Sequence, residues 1–226
     1  MGKTIYVNFP VCLLSGAFEN IQFVTDNIFD YAIYKHSQNL EFNDELSKIK
    51  SASNFFNVNL GLPERSLENG KNLLQQHIKS PNASINISII WDFYNNKKGE
   101  FDIACFCAFC AIKSILGNKN FVKTNKKLIL LRMFGENIQK NEVLFNKYSA
   151  RYHIDKILIK LQEDWGLKLY SDHSRGFYLS FKNSLKSLAE ISLFKKEKIK
   201  KKILVERKKK ATEAALVKLN FKLKNV

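Results

Sequence analysis

Ala150 to Phe181 reads ARYHIDKILIKLQEDWGLKLYSDHSRGFYLSF, and its first half carries Ile154, Ile157, Leu158, Leu161 and Trp165 at spacings of 0, 3, 4, 7 and 11. Residues three and four apart share one face of an α-helix, so this spacing predicts an amphipathic helix over 150–165, with Ser149 as its N-cap. Gly166 ends it, and Leu167 to Tyr170 and Gly176 to Phe181, separated by Ser171 to Arg175, predict two short strands. A helix therefore feeds directly into a hairpin.

Working outward, Phe101 to Leu116 is almost wholly apolar and stops at Gly117, which predicts a central helix. Asn118 to Lys123 fits a short strand. Asn125 to Phe134 then fits a short helix with Leu128, Leu131 and Met133 or Phe134 inward, ended by Gly135. The order helix, short strand, short helix, amphipathic helix, hairpin resembles the winged helix-turn-helix fold over roughly residues 100–181. The resemblance is to transcriptional regulators and to the replication initiators of plasmids, phages and other mobile elements. It implies that the 150–165 helix lies in the DNA major groove while the hairpin tip, the wing, meets the backbone or minor groove. One departure is plain: Gly135 to Tyr148 separates the two candidate helices by more than the usual three or four residues, which calls either for an insertion or for other helix bounds.

Upstream, Ile5 to Phe9 reads as extended. Helices are expected at Asp26 to Ser37, with Thr25 as N-cap, at Asp44 to Phe56, and at Pro63 to Ile78, where proline suits the first turn. Ser80 to Ser84 reads as a connector, and Ile85, Ile87 and Ile89 alternate with polar residues in a way that fits either a strand or a helix. The NNKKG stretch, Asn95 to Gly99, is the clearest interior linker. The expected architecture is thus mainly α, of the α+β kind: a helical N-terminal unit over 1–95, a winged-helix-like domain over 100–181 with a small β-hairpin wing, and a basic C-terminal helix or arm over 182–226.

The chain has 226 residues, 45% of them hydrophobic, enough for one substantial core or two small ones and too many for disorder throughout. Its longest uncharged apolar run, Ile103 to Ile112, is about half of what a membrane-spanning helix needs. Residues 1–18 lack a signal-peptide pattern, so no membrane or secretory destination is expected and the reading is cytoplasmic. The net charge is +16, of which Lys182 to Val226 contributes +11. A mildly basic body with a strongly basic tail points to a polyanionic partner, nucleic acid first of all, because Lys and Arg that neutralise phosphates release counterions. An A/T-rich coding sequence gives the same excess of Lys, Asn and Ile without any such partner.

Arginine discriminates better. Three of the five, Arg132, Arg151 and Arg175, fall within the winged-helix-like region although Lys supplies nearly all positive charge elsewhere. The guanidinium fork matches phosphates and guanine edges as an ammonium cannot. The expected nucleic-acid contacts are Arg151 and Tyr152 near base edges, Lys156 and Lys160 on phosphates, and Arg175 with Lys168 or His173 at the wing. Arg132 completes this set unless it pairs with an acid such as Glu136. In the arm, KKEKIKKKILVERKKK (195–210) supplies Lys200, Lys201, Lys202, Arg207, Lys208 and Lys209 around Ile199, Ile203, Leu204 and Val205. It fits a basic helix along a duplex, an arm that folds on binding, a partner-docking helix, or a solvated charged face.

Catalytic signatures are missing. The four histidines are scattered, there is no HExxH, GxxxxGK[ST] or GxGxxG pattern, and the pairs Glu163–Asp164 and Asp26–Asp30 read as helix-face carboxylates. Only a nuclease with carboxylates distant in sequence would escape this reading. Cys105, Cys107 and Cys110 cannot converge on one metal from a helix, and with Cys12 they read as buried thiols. The expectation is a non-catalytic duplex-DNA-binding protein with no cofactor and no metal. The alternatives are an interaction or inhibitor protein that uses the same scaffold to bind a nucleic-acid-handling protein complex, and an RNA binder; the partners allowed besides nucleic acid are another protein or a second copy in a homodimer.

Overall fold

A computed structural model describes residues 4–134, 142–171 and 176–224. The chain is mainly helical with two small antiparallel sheets. Strand β1 (Tyr6–Pro10) leads through a 3₁₀ turn (Val11–Gly16) to helices α1 (Ile21–Ser37), α2 (Glu45–Phe56) and α3 (Pro63–Gln76). Strand β2 (Asn82–Asn86) then returns beside β1, and α4 (Ile87–Asn95) follows it. The register sets Val7 opposite Ile85 and Phe9 opposite Ala83, so the alternation of the strands buries these four side chains on one face.

The second half begins with α5 (Glu100–Leu116) and continues through β3 (Val122–Thr124), α6 (Lys126–Phe134), α7 (Glu142–Ser149), α8 (Arg151–Asp164), β4 (Lys168–Tyr170) and β5 (Phe177–Ser180). These three strands form one antiparallel sheet in the order β3-β5-β4. Leu179 of the central strand stands between Val122 and Leu169 and is fully buried. At the start of β5 the chain passes so close to β3 that a Cβ on Gly176 would collide with the Thr124 carbonyl, and its φ of 95° is one that only glycine adopts without strain.

The all-apolar reading of α5 translates into burial on every side: Ile103 through Ile112 are all buried. Across the NNKKG stretch, Phe93 of α4 stacks on Phe106 of α5 with ring centroids 4.4 Å apart, and Phe109 meets Trp165 at 4.6 Å. The hydrophobic core accordingly runs without interruption from Val7 through α5 to Leu179. On the far side of the sheet, α9 (Leu185–Lys224) is a single helix of 40 residues. Its own Leu188 and Ser192 are buried and Lys195 lies over the rings of Phe121 and Tyr178, whereas every residue from Leu193 to Leu216 is exposed. Among the described residues no helix is long and apolar enough to cross a membrane.

Several local expectations need correction. Helix α1 starts at Ile21, capped by the Asn20 side chain accepting from the Phe23 amide; Thr25, expected as the cap, donates its hydroxyl to the Ile21 and Gln22 carbonyls from within the helix. Ser149 ends α7 instead of capping α8, and its hydroxyl donates to the Asn146 carbonyl. The alternating isoleucines divide between two elements, Ile85 in β2 and Ile87 with Ile89 in α4. In α6 the buried residues are Ile129, Leu130, Met133 and Phe134, with Leu128 turned outward, so the helix is rotated from the expected phase. Part of the long 135–148 separation is occupied by α7, whose Tyr148 is buried and donates to Glu100 at 2.7 Å.

Candidate nucleic-acid interface

Helix α8 turns Ile154, Ile157, Leu158 and Leu161 into the core, as its spacing requires, and leaves the opposite side open. Arg151 and Tyr152 stand at its first turn, with 91% of the Arg151 side chain and 63% of Tyr152 in solvent. Lys156, one turn on, is exposed and holds its ammonium 4.3 Å from the Tyr152 ring centroid, a cation–π contact that presents ring and charge together. Asp155 accepts ion pairs from Arg151, at 3.7 Å, and from Lys126 at the start of α6. These pairs tie the N-terminal ends of α6 and α8 into one basic edge.

Lys126 was not among the residues expected from sequence, nor was its exposed neighbour Lys127. The available signal was weak: the Asn125 side chain accepts from the Leu128 amide, marking a helix start, but only the fold brings that start to Asp155. The C-terminal half of α8 differs in character. Lys160 is paired with Asp164 at 2.6 Å, which raises the ammonium pKa above its ordinary value, and Glu163 is exposed nearby. Lys160 is thus engaged within its own helix, and the positive potential of α8 is concentrated in its first two turns. Ile159, 50% exposed, interrupts the polar surface between the two halves.

The remaining expected contacts are dispersed. Lys168 is exposed at the start of the edge strand β4, opposite Ser180 and so at the end of the hairpin away from its tip. His173 and Arg175 lie outside the described residues, as does Glu136. Arg132 is half-buried in the last turn of α6, about 9 Å along the axis from Lys126 and so away from the basic edge. Lys200, Lys201, Lys202, Arg207, Lys208 and Lys209 are all exposed on α9. Successive basic positions there point about 100° apart, so the positive charge encircles the helix and no single face carries it.

The thiols divide. Cys105, Cys107 and Cys110 are buried in α5, and burial pushes the first two up to about 12, so they are inert packing groups. Cys12 departs from the expectation of burial: it is half-exposed, with its sulfur 3.2 Å from Nδ1 of His77. No three His, Cys, Asp or Glu side chains among the described residues are grouped to hold a metal ion. Compared with known proteins, the chain matches no family model, and no curated protein and no solved structure matches it significantly.

Proposed function

We propose that the protein binds duplex DNA without catalysis, through a winged-helix arrangement in which α8 enters the major groove, the β4–β5 hairpin is the wing and α9 is a basic arm. The observation that carries this reading is the open first half of α8. Arg151, Tyr152 and Lys156 face solvent beside Lys126, while the opposite side of the same helix is locked into the core. Support also comes from element order: α5, β3, α6, α8, β4 and β5, with β5 between the other two strands, follow one another as in a winged helix, with α7 inserted between α6 and α8. In that arrangement the N-terminal end of the recognition helix approaches base edges and the first helix of the motif, here α6, approaches phosphates with Lys126 and Lys127 at its start. By the resemblance, the role is that of a transcriptional regulator or a replication initiator.

The test is fluorescence anisotropy with duplex DNA, single-stranded DNA and duplex RNA at two salt concentrations. The full chain is compared with Arg151→Ala and with a chain ended after Phe194, which keeps the buried turns of α9. Duplex DNA should be preferred and its binding should weaken with salt. Arg151→Ala should lose about 1–3 kcal/mol on a specific site if the guanidinium grips a base edge. Equal binding of all three nucleic acids by every variant would confine the interaction to non-specific charge. A second reading, a protein partner seated on α8, is favoured by the exposed Tyr152 and Ile159, and binding of none of the three nucleic acids would leave it standing.

A further inference from the structure

Far from α8 in sequence, α1, α3 and α4 and the segment joining α2 to α3 enclose a cleft of about 670 Å³ that the nucleic-acid reading does not use. Aromatic rings line it: Phe29 and Trp91 lie 4.6 Å apart at 37°, and Tyr94 stands edge-on to Trp91 at 5.4 Å and 86°. Three carboxylates line it too, Asp26, Asp30 and Glu68, against the single guanidinium of Arg65. The cleft is therefore locally negative in a chain whose net charge is +16.

Its polar groups are held in place. A Cβ on Gly70 would stand 2.5 Å from the Asp30 carbonyl oxygen, so only glycine lets α3 ride this close on α1. That approach brings Asn69 onto Asp30: its Nδ2 donates to the Asp30 carboxylate at 2.8 Å and to Oδ1 of Asn27 at 3.0 Å. Both N–H donors of the Asn69 amide are thereby spent. That leaves the Asn69 carbonyl oxygen, the carboxylates of Asp30 and Asp26, one helical turn apart and partly offset by Arg65, and the ring faces, alongside the amides of Asn59 and Asn72. Burial raises the pKa of both aspartates, Asp30 against the hydrogen bonds of Asn69 and Ser66, and Asp26 with added repulsion from Asp30.

Acceptors, negative charge and aromatic faces together select their ligand. Phosphate-bearing molecules meet three like charges. A hard metal ion needs a shell of oxygens, and the described residues hold no group of ligands close enough to supply one. We propose that this cleft is a binding site for a small organic cation carrying N–H donors, an alkylammonium or guanidinium compound. Its charge is met by Asp30 and Asp26, and its carbon chain or plane lies on Trp91.

The full chain is titrated by calorimetry with agmatine, spermidine and putrescine, with 1,4-butanediol as the uncharged analogue of putrescine and Mg²⁺ as an inorganic cation. One equivalent of at least one of the amines should bind, and neither the diol nor Mg²⁺ should match it. Asp30→Asn preserves shape and should weaken binding by about tenfold or more, the worth of a hydrogen bond to a charged group. Trp91→Leu should weaken it as well, while Glu163→Gln, on α8, should leave it unchanged. Thermal melts of each variant establish that it is folded, and Trp91→Phe, which retains a ring, should bind more tightly than Trp91→Leu. The proposal is overturned if no amine binds below about 10 mM, or if Asp30→Asn binds as wild type does. Because the cleft and the basic edge share no residue, failure here leaves the DNA reading untouched, and the reverse also holds.

Discussion

The arm offers the sharpest quantitative test of nucleic-acid binding. On α9, Lys200 and Arg207, Lys201 and Lys208, and Lys202 and Lys209 are pairs seven residues apart, so each pair shares an azimuth to within about 20°. Three stripes of positive charge about 100° apart result, and a duplex lying along the helix can meet two of them, about four cations. Each neutralised phosphate contributes about 0.9 to the slope of log affinity against log salt, so replacing all six residues by Gln should flatten that slope by about 3.6. Between 50 and 200 mM salt the wild-type chain should then lose about 150-fold more affinity than the variant does. Anisotropy titrations on a duplex of about 30 base pairs at four salt concentrations measure the slope, and circular dichroism checks that the helix persists, since Gln and Lys have similar helix propensity. A variant slope within about one unit of wild type would show that the arm does not lie on phosphates.

Three further outcomes follow from the body. Phe106→Ala removes a fully buried ring from the stack that joins α4 to α5, and should cost about 3–5 kcal/mol in denaturant unfolding; a loss under about 1 kcal/mol would mean that this junction is loosely packed. Asp30 has a raised folded-state pKa, so its ionised form opposes folding: stability is fully present below the ordinary value of 3.8 and is lost as pH rises through the folded value. Asp30→Asn should accordingly raise the melting temperature at pH 7 and not at pH 3, and an equal effect at both would assign the change to packing instead. With an aromatic disulfide reagent, Cys12 should react before the three thiols of α5, and all four should react in denaturant; simultaneous reaction in the folded protein would contradict the burial of α5.

Where one face of an element meets the core, its sequence pattern announced it. The spacing of Ile154, Ile157, Leu158 and Leu161, and the unbroken apolar run of α5, are direct imprints of burial. The failures come from places where burial leaves no imprint. Helix α1 begins with Gln22 and Phe23 in solvent, so its first turn shows no apolar period, and Thr25, a good cap by residue type, drew the boundary inward. Ser149 misled for a related reason: α7 and α8 are separated by one residue, and a serine between two helices serves equally as the end of one or the start of the next. The basic edge was half legible, since Arg151 and Lys156 lie on one helix while Lys126 reaches it only through Asp155. The cation cleft was not legible at all. Asp26 and Asp30 were visible as a pair on one helix face, but Asn69 and Trp91 join them only once Gly70 has let α3 settle against α1.

Beyond its buried turns, α9 extends from Leu193 to Lys224, a reach of about 48 Å, comparable with the width of the body that carries it. At physiological salt the field of a surface charge fades over about 8 Å, so the charges of the body are felt only at near contact. The arm places the densest of the chain's positive charge, Lys200 to Lys210, about one to three screening lengths outward. On the proposed nucleic-acid reading, a polyanion would meet residues 200–210 of α9 before it felt the body, and the capture radius would be set by how far that stretch stands out and not by the size of the fold.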